Sequence, residues 1–251
     1  MSRETQKLIF SLMTLCFLAA SLACAPPAAP YRKHPELESR SQIVKNPQLV
    51  TPDIKVYEFT AGGVRELRDD WCEIGKRNIL KAINDCFKEK RLEVRSIALD
   101  LDEDTKKELE DIQAVFRAVS ISIQLHTYGP FIFPEKQKNF DYSIGSVEKI
   151  LQKYGGDALI LVHGSDDVPT LGRKFFVGSG GLAKLVRDAI TGTETPSHLG
   201  VTRLSIAIID PSGKIIWYGH KSSGSPDQFR DEASAAKLLR LVLEDFSQVK
   251  R

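Results

Sequence analysis

The group His163-Gly164-Ser165-Asp166-Asp167 puts an imidazole, a hydroxyl and two carboxylates within five residues, directly after an apolar run. These are the functional groups of nucleophilic hydrolysis, and open α/β sheets carry their sites just beyond strand ends. The spacing argues against that chemistry. A nucleophile elbow needs glycine two residues from the serine on both sides, and Asp167 occupies the second of those places. Neighbours on an extended segment also point to opposite sides, so adjacent residues seldom form a triad. The group therefore reads first as strand-end polar residues, with a hydrolase or small-ligand sensor around Ser165 as the alternative.

Other reactive patterns fall short in similar ways. Gly178-Ser179-Gly180-Gly181 precedes a predicted helix at 182–190, but it lacks the spacing of a P-loop and of the dinucleotide fingerprint. It reads as a surface loop, and no cofactor is expected. Asp100, Asp102 and Asp104 alternate like calcium ligands, yet Thr105 and Asp111 stand where glycine and glutamate are required. They read as a capping turn. The histidines at 34, 126, 163, 198 and 220 have no metal-ligand spacing, so no metal is expected. Cys72 and Cys86 fall fourteen residues apart on one predicted helix, about 21 Å by helical rise and too far for a disulfide. They read as small buried hydrophobes, and Trp71 and Trp217 as packing residues.

A frame for these residues follows from periodicity. Ile54 to Phe59 alternates as a strand, and Asp70 with Glu73 has capping-box spacing before a helical stripe through Ile79, Ile83, Cys86 and Phe87. Leu92 to Ala98 reads as a second strand. Asp102 or Asp104 caps a helix whose stripe is Leu109, Ile112, Phe116, Val119 and Ile123. A short helix over about 143–154 ends at Gly155-Gly156, and Ala158 to Val162 is apolar throughout, as in a strand buried on both faces. Asp210-Pro211-Ser212-Gly213 turns a hairpin between strands 203–209 and 214–218, and an amphipathic helix from about Asp227 closes the chain. The expectation is an α/β protein, one mixed sheet of about five strands flanked by helices, in the order β-α-β-α-α-β-β-β-α. Aromatic residues gather at Phe131, Phe133, Phe140 and Tyr142, and again at Phe175 and Phe176. They are candidates for partner binding if they face solvent; the first group otherwise folds back as a lid over the core.

The start of the chain says where it works. Arg3 and Lys7 precede an apolar run from Leu8 to Ala20, too short to span a bilayer, and Ser21-Leu22-Ala23-Cys24 follows. This resembles a bacterial lipobox with Cys24 as the lipidated residue; a secreted protein cut nearby, for instance after Ala25, is the alternative. Residues 1–23 are then a signal peptide, and 24–52, which contains Pro26, Pro27, Pro30 and Pro35, a flexible tether. One domain over 53–251 carries an inserted loop region at about 165–199. Removing the signal lowers the formal charge from +2 to about +1, since two basic residues leave with one acid. That balance, without clustered basic residues, excludes a nucleic-acid footprint.

The element order, Gly155 to Leu161, Val201 to Tyr218 and Phe140 to Gly145 resemble the TolB N-terminal-domain-like fold, shared by the curli-secretion-channel lipoprotein and lipoprotein activators of penicillin-binding proteins. The resemblance covers about residues 53–248. It implies a non-catalytic lipoprotein facing the periplasm, bound through Cys24 to the membrane and acting through contacts with other envelope proteins in assembly, secretion or wall synthesis. Ala25 resembles outer-membrane cargo. The segment 165–199 is neither long nor alternating enough for the paired hairpins of the curli channel, so no pore is expected. Pairing of the hairpin edge with another chain, including a second copy, is left open.

Overall fold

The structure, a computed structural model, describes residues 31–35, 44–60, 62–90, 92–97, 101–128, 133–172, 200–224, 228–244 and 246. Cys24, Phe131, Phe175, Phe176, the Gly178 loop and the helix expected at 182–190 lie outside them.

Strand β6 (Ala158–Pro169) is the axis of the sheet. Its first residues are apolar on both faces, and each face finds its own cover. Ala158, Ile160 and Val162 pack beneath helices α1 (Asp69–Glu89) and α5 (Glu232–Val242), with Ile79, Ile83, Phe87, Leu238 and Leu239. Leu159 and Leu161 pack beneath α2 (Glu103–Ile123) and α4 (Glu148–Tyr154), with Leu109, Phe116, Ile150 and Leu151. A short α3 (Pro134–Lys138) lies between α2 and α4 in sequence. The expected α/β class holds: a mixed sheet between two helical layers.

Both edges of β6 are paired. On one side β7 (Thr202–Ile209) runs antiparallel to it and β8 (Ile215–Ser223) antiparallel to β7. On the other, two short parallel strands share the edge. β2 (Pro47–Leu49) lies against Ala158–Ile160, and β3 (Asp53–Phe59) against His163–Pro169. β5 (Arg95–Ser96) extends the sheet from β2, and β4 (Arg65–Leu67) from β3. β1 (Tyr31–Lys33) adds antiparallel to the outer edge of β8.

Two corrections concern the tether expected at 24–52. Residues 31–33 and 47–49 are strands, and β2 is buried at all three residues. Neither segment is long enough to show a period; each is recruited by an open strand edge, where unpaired backbone groups are costly. The expected five strands become eight among the described residues. The strand expected at 92–98 shortens to two residues, because its neighbour β2 offers only three. β6 in turn runs to Pro169, beyond the expected loop boundary at 165.

Helix ends follow local chemistry. Asp102 caps α2 by accepting from Thr105 N at 2.9 Å, and Asp231 caps α5 by accepting from Ser234 N at 2.8 Å. The capping box of Asp70 and Glu73 does not form: Arg68 is the N-cap, and Glu73 instead pairs with Lys76 at 2.6 Å. α4 ends as expected on Gly155, at φ 66°. In the β7–β8 turn Gly213 has φ 85°, its N donates to Asp210 O at 2.8 Å, and a Cβ there would meet Gly145 O.

Gly213→Ala should therefore destabilise the protein by about 2 kcal/mol or more, from left-handed backbone strain and the clash with the 145 carbonyl. Gly224, whose Cβ would meet nothing within 4 Å, supplies the control. Gly224→Ala should stay within about 0.5 kcal/mol of the parent in urea unfolding.

Candidate functional site

Strand register creates a row that no single segment contains. Asp53 on β3 pairs with His163 on β6, His163 with Ser205 on β7, and Ser205 with His220 on β8. Paired residues project to the same face, here the one crossed by the C-terminal half of α2. Arg117 of α2 reaches Asp53 Oδ2 at 2.9 Å, and His163 Nδ1 approaches the same oxygen at 3.4 Å. Burial opposes ionisation of Asp53, but His163, Arg117 and Lys55 together outweigh it, and the carboxyl lies below the ordinary aspartate range.

The other half of the row is uncharged. Ser205 Oγ lies 3.0 Å from His220 Nδ1 and accepts from Tyr218 OH at 3.0 Å. Ser120 of α2 joins Tyr218 OH at 2.8 Å, and Gln124 Nε2 donates toward Ser120, Ser205 and Tyr218 at 3.2–3.4 Å. α2 passes here into a π-helical turn, Gln124–Tyr128, whose last residue packs its ring on His220 at 5.5 Å. Burial, followed by the charges of Arg203 and His163, pushes the pKa of His220 down to about 4.

Asp, His and Ser in one row have the composition of a hydrolase but not its geometry. The imidazole on Asp53 belongs to His163, whereas the one bonded to Ser205 belongs to His220. Ser205 is only 1% exposed, with its hydroxyl held by neighbours on three sides. A nucleophile must meet its substrate, and this oxygen is packed away from solvent.

The five-residue group that opened the sequence reading is divided by the strand. Asp166 turns to the opposite face from His163, Ser165 and Asp167, where it is wholly buried, accepting from Thr202 Oγ1 at 2.7 Å and Phe229 N at 3.2 Å. It clamps the turn before α5, as does Asn78, which donates to the carbonyls of Phe229 and Arg230. Asp167 is gripped by Arg65 at 2.6 and 2.8 Å. Ser165 stands in the next row between Lys55 and Arg203. Asp102 is a helix cap that also binds Lys153, as the capping reading expects. Cys72 and Cys86 are buried free thiols on α1, and no metal-binding group occurs among the described residues.

The aromatic candidates separate as well. Phe140 and Tyr142 are not available to a partner: they are 1% and 8% exposed, with their rings 5.1 Å apart and tilted by 57° within the core beneath α2. Phe133 is 51% exposed and lies against the His126 ring at 4.4 Å. Two further exposed side chains were missed by the sequence reading, Ile121 at 50% and Leu125 at 43% exposure, one helical turn apart. Their signal was present: both are apolar residues off the stripe that α2 buries.

No protein-family model matches the chain, and no curated protein matches it in sequence. Among solved structures it is similar to the PelC dodecamer from Paraburkholderia phytofirmans, at 10% identity and a TM-score of 0.36, over 88% of this chain and 96% of that one. It is also similar to a point variant of the PelC dodecamer from the same organism, at 9% identity and a TM-score of 0.33, over 82% and 90% of the two chains. Likeness at this level carries no argument about this chain.

His220 sets a pH dependence. In the unfolded chain its imidazole takes a proton near pH 6.5, but in the folded protein only near pH 4, so between these values the unfolded state binds more protons. Stability should be full above pH 6.5 and fall by on the order of 2 to 3 kcal/mol on acidification to pH 4. Urea unfolding across that window should show the slope in the parent and a flatter one in His220→Asn.

Proposed function

We propose that the chain is a membrane-tethered lipoprotein of the cell envelope that acts by protein contact, without catalysis, in envelope assembly, secretion or wall synthesis. The exposed side chains of Ile121, Leu125 and Phe133 carry the contact reading. Each large apolar side chain left exposed gains roughly 25 cal/mol for each Å² it loses to a partner. Cys24 supplies the anchor, since two or more acyl chains make attachment stable, and Ala25 suits a place on the outer membrane facing the periplasm. The partners are other envelope proteins, with a second copy of this chain as one form of that contact. The TolB N-terminal-domain-like resemblance points the same way.

The Asp53–His163–Ser205–His220 row favours a second reading, a hydrolase or small-ligand sensor. It is the weaker one, because Ser205 is buried and Ser165 has no base brought to it. Cys24→Ala should move the folded protein from membranes to the soluble fraction; unchanged pelleting removes the anchor. In acylated protein, Phe133→Asp with Ile121→Asp should lower recovery of crosslinked envelope partners about five-fold, equivalent to about 1 kcal/mol. Equal recovery rejects this contact surface, and a turnover lost in Ser205→Ala would put the hydrolase reading in its place.

A further inference from the structure

We infer that the outer face of α2 pairs with the same face of a second copy of this chain, antiparallel about a two-fold axis, so that Ala114 and Ala118 receive the partner's Leu125 and the partner's Ile121. This rests on the contact reading above and names its occupant.

α2 is amphipathic twice over. At about 100° per residue its buried stripe, with Leu109, Phe116, Ser120 and Ile123, takes one side, and Ala114, Ala118, Ile121 and Leu125 lie on the side directly opposite. All four are exposed, Ile121 at 50% and Leu125, in the π-helical turn that continues the helix, at 43%; Val115 flanks them at 43%. Their intervals of four, three and four residues are those of a coiled-coil seam. Covering the sheet uses only the first stripe.

Sizes along the seam decide its direction. Two such helices set antiparallel, with the axis between residues 119 and 120, bring Ala118 against the partner's Ile121 and Ala114 against the partner's Leu125. Every layer then joins one small side chain to one large, which is how facing positions interdigitate without voids. Set parallel, alanine would meet alanine and leave gaps. Charge selects the same direction, because a parallel pair lines up Glu110, Asp111 and Arg117 with their own copies, whereas the antiparallel pair sets Arg117 against the partner's Ser122 and Gln113 against the partner's His126. A patch that fits itself under a two-fold axis is what an isologous interface requires.

Lipid is a poorer occupant. The outer face also carries exposed Glu103, Asp104, Glu110 and Asp111 against Lys106 and Lys107, an acid excess that an anionic membrane surface repels. The seam is short. Two helix faces of this length bury less than about 1,200 Å² in total, so the pair should be reversible, with a dissociation constant on the order of 10 μM.

The test is disulfide trapping of the full chain in intact cells making it at native level; Cys72 and Cys86 are buried, and the parent gives the background. Ala114→Cys with Leu125→Cys should yield, on mild oxidation, a reducible product of twice the chain's mass, several-fold above either single variant. Within one chain the two positions stand about 16 Å apart, too far to bridge. Adding Ala118→Leu should cut the yield at least five-fold although it makes the face more apolar, because leucine fills the space that the partner's Ile121 takes. Equal trapping in the single variants, or a yield that Ala118→Leu leaves alone or raises, overturns the seam. Absence of the dimer product, or a product of another mass, overturns the second copy. If Ile121→Asp with Phe133→Asp still lowers recovery of envelope partners, the contact reading survives that outcome; if recovery is also unchanged, both fall together.

Discussion

β6 has no free side, and the sheet is arranged around that constraint. Its first five residues, Ala158 to Val162, are apolar on both faces, so the strand cannot lie at a solvent boundary and needs a helical layer above and below. Its edges need partners as well, because buried backbone donors and acceptors left unpaired cost as much as lost hydrogen bonds. β7 fills one edge. The other is filled piecewise by β2 and β3, which follow each other along the same side with Val50, Thr51 and Pro52 between them. Proline breaks the chain where the edge is handed from one segment to the next.

The second half of β6 changes character. From His163 onward one face stays apolar or clamped, with Ile54, Val56 and Phe229 packed around Gly164 and Val168, while the other carries His163, Ser165 and Asp167. α2 covers only part of that second face. The row from Asp53 to His220 lies where its cover thins out: Asp53 is bonded to Arg117, and Ser205 to His220, Tyr218 and Gln124, while His163 Nδ1 has only the approach of Asp53 at 3.4 Å. The hydroxyl of Ser205 and the imidazole of His220 are tolerated at such a seam because they are bonded, as buried polar groups generally are. Functional groups that suggest hydrolysis can therefore collect in one row for reasons of packing.

Elements whose signal is local were legible in the sequence: α1 and α2 from their stripes, the β7–β8 hairpin from Asp210 to Gly213, the helix stop at Gly155. What was not legible depends on partners distant in sequence. Pro47-Gln48-Leu49 has no period, and it becomes a buried strand only because β6 offers an edge. Asp70 and Glu73 have the right spacing for a capping box, but the N-cap lies two residues earlier, at Arg68, and Glu73 turns to Lys76. At the site, His163 was visible as a candidate, yet Asp53, Ser205 and His220 reach it through three separate strand pairings. Phe133 was visible too, while Phe140 and Tyr142, of the same type and from the same loop, were claimed by the core because Tyr218 and α2 left a gap for them.

β1 carries edge closure into a segment that has no strand signal of its own. Three residues form few hydrogen bonds, and a strand that short is marginal alone; Arg32 adds a hydrogen bond to the 127 carbonyl and a face contact with Tyr128. While β1 is seated, the outer edge of β8 is protected. Were β1 to leave, β8 would bare that edge to pairing with another chain. One small ladder thus determines whether the sheet has an open edge, which is why Arg32 and Tyr31, in a segment that reads as linker, belong to the working structure.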